Sequence, residues 1–334
     1  MSESKSDWRR RLARITAALF LAWETTGTVQ AAAVDLADVP MAVKTTAAPN
    51  LMFILDDSGS MQWELLPDDF IYSYFVFPRA STVYGGSDYT NFVTTVDDNN
   101  PYNALSRSPQ INRTYYNPGI TYTPWADPSN TTTGSFPAAS PTAAYHNPQD
   151  TSKGSRDLTV NNTQTASWDS CTSLTPITCN TSTVSKTFYP ATYFTYNGGG
   201  IWTWGNYTKR EIKSANAPFT GEGRNARSDC ANFATSSCTY AEEIQNFANW
   251  YTYYRSRILA ARAGIGRAFS QLSTEPRVGF SAINYGSATI DGVTSPGAVI
   301  KGVRQFTGTD RTAFFTSLYS HTIPTSGTPL RRAL

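Results

Sequence analysis

The sequence predicts an α/β domain whose mostly parallel, helix-flanked sheet is interrupted after its first strand by a large irregular, β-leaning insertion. Leu51-Met52-Phe53-Ile54-Leu55 is an unbroken apolar run that ends in the polar turn Asp56-Asp57-Ser58-Gly59-Ser60. Apolar residues without alternation mark a strand covered on both faces, as in a parallel sheet. Ile244, Phe247, Tyr251, Tyr254, Ile258, Ala261, Ile265, Phe269 and Leu272 recur at alternating steps of four and three, the face of one long amphipathic helix. Between these two signals, residues 62–238 scatter Pro, Gly, Asn, Ser and Thr among aromatics with no helical period.

The rest of the chain fills in this frame. Thr239-Tyr240-Ala241-Glu242 is a capping box that starts the long helix, and Pro276 stops it. Arg277–Tyr285 and Ala298–Phe306 read as strands, with a short helix over Asp310–Tyr319 between them and the Ser326-Gly327-Thr328-Pro329-Leu330 turn. That turn opens a last helix, Pro329 fitting its first turn. Arg255, Arg257, Arg262 and Arg267 fall mostly off the apolar stripe and read as a solvated face. The Thr/Ser/Pro-rich stretch around Asn130–Thr165 is expected to be the loosest part of the insertion.

Composition bounds the function. Of 334 residues, 40% are hydrophobic and 13% aromatic, enough for a sizeable core, and only 16% are charged, against about 25% in soluble domains. Arg9, Arg10, Arg11 and Arg14, the apolar run Ile15–Trp23 and the small residues around Val29-Gln30-Ala31 have the order of a secretory signal peptide over residues 1–33. Without that segment 22 basic and 22 acidic residues remain, so neither nucleic acid nor an anionic membrane is a natural partner. No later stretch is long and apolar enough to span a bilayer. Export favours oxidised cysteines. Cys171 with Cys179 and Cys230 with Cys238, each eight positions apart, are the expected disulfides among three possible connectivities. Neither pair has the Cys-x-x-Cys spacing or the neighbouring His of a zinc site. The expected organisation is a signal at 1–33, an N-terminal segment with the first strand and its polar loop at 34–61, a disulfide-clipped insertion at 62–238, and the continuing α/β domain at 239–334.

Strand, Asp-x-Ser-x-Ser turn, long helix, strands, short helix and Gly-Thr-Pro turn, in that order, resemble the von Willebrand factor A (vWA) fold. The resemblance rests on Asp56, Ser58, Ser60 and Thr328. It implies a metal-ion-dependent adhesion site, in which Ser58 and Ser60 give hydroxyl oxygens to Mg²⁺ (or Mn²⁺), Thr328 binds directly or through water, and Asp56 through water. Hard cations want oxygen ligands, and Mg²⁺ keeps waters when few carboxylates reach it. An acidic group from a partner then completes the shell, which is binding rather than catalysis. The family's third ligand loop carries an acidic residue beyond the next strand. The chain stops at Leu334 before it, so the resemblance implies a C-terminally truncated domain with an incomplete, weakened site.

Further motifs are similar to PilY-type type IV pilus proteins. They are Asp35–Pro40 before Pro49–Met61, Tyr116-Asn117-Pro118-Gly119-Ile120-Thr121-Tyr122-Thr123-Pro124-Trp125, Cys238–Tyr251 and Thr325–Leu334. This resemblance implies a Gram-negative factor in pilus assembly and adhesion at the periplasm, outer membrane or pilus tip. Its partners would be minor pilins or the pilus tip, and host or abiotic surfaces. Members usually add a C-terminal β-propeller with a calcium site; no calcium ligands are assigned here.

Three rival readings stand beside this one. Asp56-Asp57-Ser58 is superficially similar to an aspartyl phosphotransferase loop, but Ser58 stands where the proton donor belongs. A serine hydrolase needs a His base, and His146 and His321 read as surface loop residues, so the chain is read as no enzyme. A secreted glycan-binding vWA adhesin unrelated to pili would use Trp125, Trp168, Trp202 and Trp204 as stacking platforms, although such aromatics more often fill a small core.

Overall fold

The structure, a computed structural model, describes residues 48–231 and 237–333; the expected export signal at 1–33 lies outside the described residues. Strand β1 (Asn50–Leu55) leads into the insertion, which holds β2 (Phe92–Thr94), helix α1 (Pro101–Ser106), β3 (Asn162–Leu174), β4 (Ile177–Phe188), β5 (Thr192–Tyr196) and β6 (Tyr207–Glu211). Helices α2 (Tyr240–Tyr253) and α3 (Arg257–Ser270) follow. Then come β7 (Arg277–Ala282), β8 (Ser287–Ile290), β9 (Val293–Pro296), β10 (Val299–Gln305), α4 (Gly308–Ser320) and α5 (Leu330–Ala333).

The chain is α/β, but more β-rich and less parallel than expected. β1 and β7 pair in parallel from Asn50↔Arg277 to Leu55↔Ala282, whereas β10 joins the far side of β7 antiparallel. The connections explain this. A parallel pair needs a long crossover, which the insertion, α2 and α3 provide. β7 and β10 are linked only through the β8–β9 hairpin, which returns the chain in the opposite sense. In the insertion, β2 pairs in parallel with β3, while β3–β4 and β5–β6 are antiparallel hairpins.

Strand β1 corrects a second expectation. Among the described residues it lies at the edge of its sheet, and Leu51 and Met52 are each 40% exposed while Leu55 is 2% exposed. Only its carboxyl half is covered, where Phe53 packs on Phe269, Phe280 and Phe314 with centroids 5.5, 5.8 and 6.1 Å apart.

The long helix is two helices. Thr239 and Glu242 make the capping box, each side chain bonded to the other's backbone N–H. At Tyr254 φ swings to −138°, and Ser256 caps the next helix by accepting from Leu259 N. Arg255 lies at the break. Its guanidinium is buried and donates to Glu64 at 3.1 Å and to the carbonyls of Tyr251 and His146, both at 2.8 Å. Arg262 is also buried, donating to the carbonyls of Leu318 and His321. The solvated face expected for the arginines is therefore corrected at both positions. Apolar residues of both helices feed the same core.

The insertion shares a core with the sheet and helices. Tyr116 packs on Phe247 at 4.9 Å, and Trp125 stacks on Tyr319 at 4.9 Å while donating to the Tyr253 carbonyl at 2.9 Å. Trp250 donates to the carbonyl of Thr114 at 2.9 Å. Glu243 is buried between Arg224 and Arg227, with Tyr116 donating to it at 2.8 Å. The stretch expected to be loosest also feeds this core, through Ala139, Ala144, Arg156 and Leu158. The disulfides are Cys171–Cys179, a directly opposed pair in the β3–β4 hairpin, and Cys230–Cys238.

Candidate metal-binding loop

The turn after β1 sits at the carboxyl end of the parallel β1–β7 pair, the edge of an open α/β sheet where ligands bind. Ile283 N–H reaches back to the Leu55 carbonyl at 3.1 Å. Asp56 Oδ1 accepts from Ser58 N–H at 2.9 Å, an Asx turn that starts the 3₁₀ turn Gly59–Gln62. This brings Ser58 Oγ and Ser60 Oγ within 3.3 Å of each other. Neighbouring ligands on an octahedral cation at 2.1 Å stand about 3.0 Å apart, so the two hydroxyls suit a small divalent ion. Among the described residues no group of three or more His, Cys, Asp or Glu converges. A cation here would rest on hydroxyls, Asp56 and water.

Thr328 is exposed, and the backbone just before it is tied to this turn. Gly59 N–H donates to the Ser326 carbonyl at 2.8 Å, and Asn284 Nδ2 donates to the Gly327 carbonyl at 2.9 Å. Leu330 N–H bonds to the Thr328 carbonyl at 2.9 Å as α5 begins. The insertion forms a third wall. Gln62 Nε2 donates to the carbonyls of Ser87 at 3.0 Å and Ile323 at 2.7 Å, and Ser87 Oγ lies 2.6 Å from Thr325 Oγ1. A Cβ added at position 59 would lie 2.4 Å from the Tyr89 hydroxyl, so any larger residue there must displace the Tyr89 ring.

Sequence reasoning missed Asp57. It is only 2% exposed, accepting from Asn284 N at 2.9 Å, Asn284 Nδ2 at 3.1 Å and His321 Nε2 at 2.8 Å. A second carboxylate beside the first was visible in the motif; its inward turn was not.

Both histidines correct the surface-loop reading. His321 is pinned to Asp57. His146 is buried, and burial, with Arg255 and Arg156 nearby, pushes its pKa down to about 3. Arg156 Nε donates to the Tyr251 hydroxyl at 3.0 Å, leaving that hydroxyl's own proton for His146 Nδ1 at 2.9 Å. The tryptophans pack inward. Trp125 and Trp168 are buried, and Trp202 and Trp204 lie against Tyr102 and Phe194 of a satellite core.

No helix among the described residues is long and apolar enough to cross a membrane. No family model matches the chain, and no solved structure matches it. It is similar to the type IV pilus biogenesis factor PilY1 of Pseudomonas aeruginosa strain PAK, 27% identical over 325 residues, which are 96% of this chain and 23% of that protein. The PilY1 of strain UCBPP-PA14 is 26% identical over 314 residues, 91% of this chain and 21% of its own length. The chain thus spans about a quarter of the length of the relatives it matches. Nearly end to end, this sequence is similar to the PilY1 type IV pilus biogenesis factors.

Proposed function

We propose that this chain belongs to an exported type IV pilus biogenesis factor and adhesin, acting at the periplasm, outer membrane or pilus tip of a Gram-negative bacterium. It binds rather than catalyses. Its contact with minor pilins or surfaces is made through a Mg²⁺ or Mn²⁺ ion held in a vWA-type site by Ser58, Ser60, Thr328 and, through water, Asp56. The cation stays short of anionic ligands, so it recruits an acidic group from the partner. The similarity to PilY1 supports the pilus role.

One observation carries the cation reading. The segment ending in Thr328 is hydrogen-bonded to the Asp56–Ser60 turn, although hundreds of residues separate them in sequence. The turn's place beside a parallel strand pair is the expected location for such a site.

Calorimetric titration of Mg²⁺, and separately Mn²⁺, into the chain tests this. We expect saturable binding that Asp56→Ala abolishes with little change in the unfolding midpoint. Asp56→Ala binding like the parent chain would end the cation reading. The same substitution introduced into the full-length protein should reduce surface attachment of cells more than it reduces pilus number.

A further inference from the structure

The Asp56–Ser60 turn divides its work by alternation. Asp56, Ser58 and Ser60 present oxygens, and the residues between them, Asp57 and Gly59, reach other parts of the chain. Burying a carboxylate costs several kcal/mol unless hydrogen bonds replace its water. Asp57 therefore tolerates 2% exposure because its oxygens have donors from two distant segments.

We propose that Asp57, His321 and Asn284 are positioning residues: the buried carboxylate pins the 321–328 segment, and with it Thr328, against the serine-bearing turn. His321 is well placed for this. It follows α4 directly, its N–H bonds to the Ser317 carbonyl at 3.1 Å, and its own carbonyl accepts from buried Arg262. Its ring is flanked by Phe280 at 6.1 Å and Tyr285 at 6.3 Å. The imidazole meets Asp57 through Nε2. The far end of the segment returns to the same place, because Asn284 Nδ2 bonds both Asp57 and the Gly327 carbonyl. One acid thus holds the start of the segment through His321 and its end through Asn284. None of the three is assigned to the cation.

The effect on cation affinity rests on the proposed site; the pinning does not. The full chain is studied as His321→Ala, His321→Gln, Thr328→Ala and the double variant His321→Ala/Thr328→Ala, with Asn284→Ala as a milder lesion that keeps the backbone donor to Asp57. The first readout is hydrogen exchange of the Gly59 amide in metal-free protein. We expect about tenfold faster exchange in His321→Ala and Asn284→Ala, with recovery in His321→Gln, whose amide still donates. The second is Mg²⁺ titration, where loss of a supporting shell weakens affinity about 10–100-fold. His321→Ala should weaken binding in the parent background and add nothing in the Thr328→Ala background. Unchanged Gly59 exchange in folded His321→Ala and Asn284→Ala, or additive losses in the double variant, would overturn the proposal. If the parent chain takes up no Mg²⁺ but Gly59 still responds, the pin stands and the cation reading falls.

Discussion

Two buried carboxylates are handled in opposite ways. Glu243, at the start of α2, lies between two buried guanidiniums, Arg224 and Arg227, which also reach Glu222 and Asp229 of the insertion. Asp57, at the mouth of the sheet, has an imidazole and an asparagine as its side-chain partners. The first is a closed charge network deep in the weld between insertion and helices. The second is a set of single hydrogen bonds that reaches the Gly327 carbonyl through Asn284. Removing one side of a buried ion pair strands the other, whereas Asp57 keeps the backbone donor of Asn284 when either side-chain partner is lost. The weld is therefore expected to govern stability, and the mouth to govern binding.

The largest test of this contrast is Glu243→Ala. It leaves two buried arginines short of an anion and should cost about 3–5 kcal/mol in urea unfolding; a loss below that of Asp56→Ala would reverse the comparison. Next is the clip on the β3–β4 hairpin. Replacing Cys171 and Cys179 by Ala reopens a loop of about eight residues, worth about 2.5 kcal/mol by loop entropy, and should leave Mg²⁺ titration unchanged. A further test is a slope with pH. The folded pKa of His146 lies near 3, below its ordinary value near 6.5. The unfolded chain therefore binds the extra proton first as pH falls. Stability is full above about pH 6.5 and is lost toward pH 3, by at most about 1.4 kcal/mol per unit. Protonating Nδ1 also removes the acceptor of the Tyr251 proton. His146→Gln should flatten that slope in unfolding midpoints measured between pH 6.5 and 4.5; an unaltered slope would assign it to the carboxylates.

The parts of the fold that were legible in sequence are those fixed by neighbours along the chain. The capping box at Thr239, the end of β1 at Leu55, α4 and the turn before Leu330 are all local patterns, and each is present. The misses share one cause, which is dependence on a distant partner. Arg255, at the break between α2 and α3, turns inward to meet Glu64, 191 positions away. Periodicity records which face is apolar and is silent about whether the axis is continuous. His321 and Asp57 are 264 positions apart, so neither could be read as half of a pair. In the candidate site, the hydroxyls and Asp56 were visible from residue type, and the scaffold behind them was not.

The shared core has a further consequence for how this chain can diverge. Trp125 lies flat on Tyr319, and Trp250 reaches the Thr114 carbonyl. The segment between β1 and α2 is consequently no interchangeable cassette. Grafting it from a homologue would succeed only if the matching faces of α2 and α4 travelled with it, so sequence variation should concentrate in its outer hairpins while its inner aromatics are inherited together with the helices.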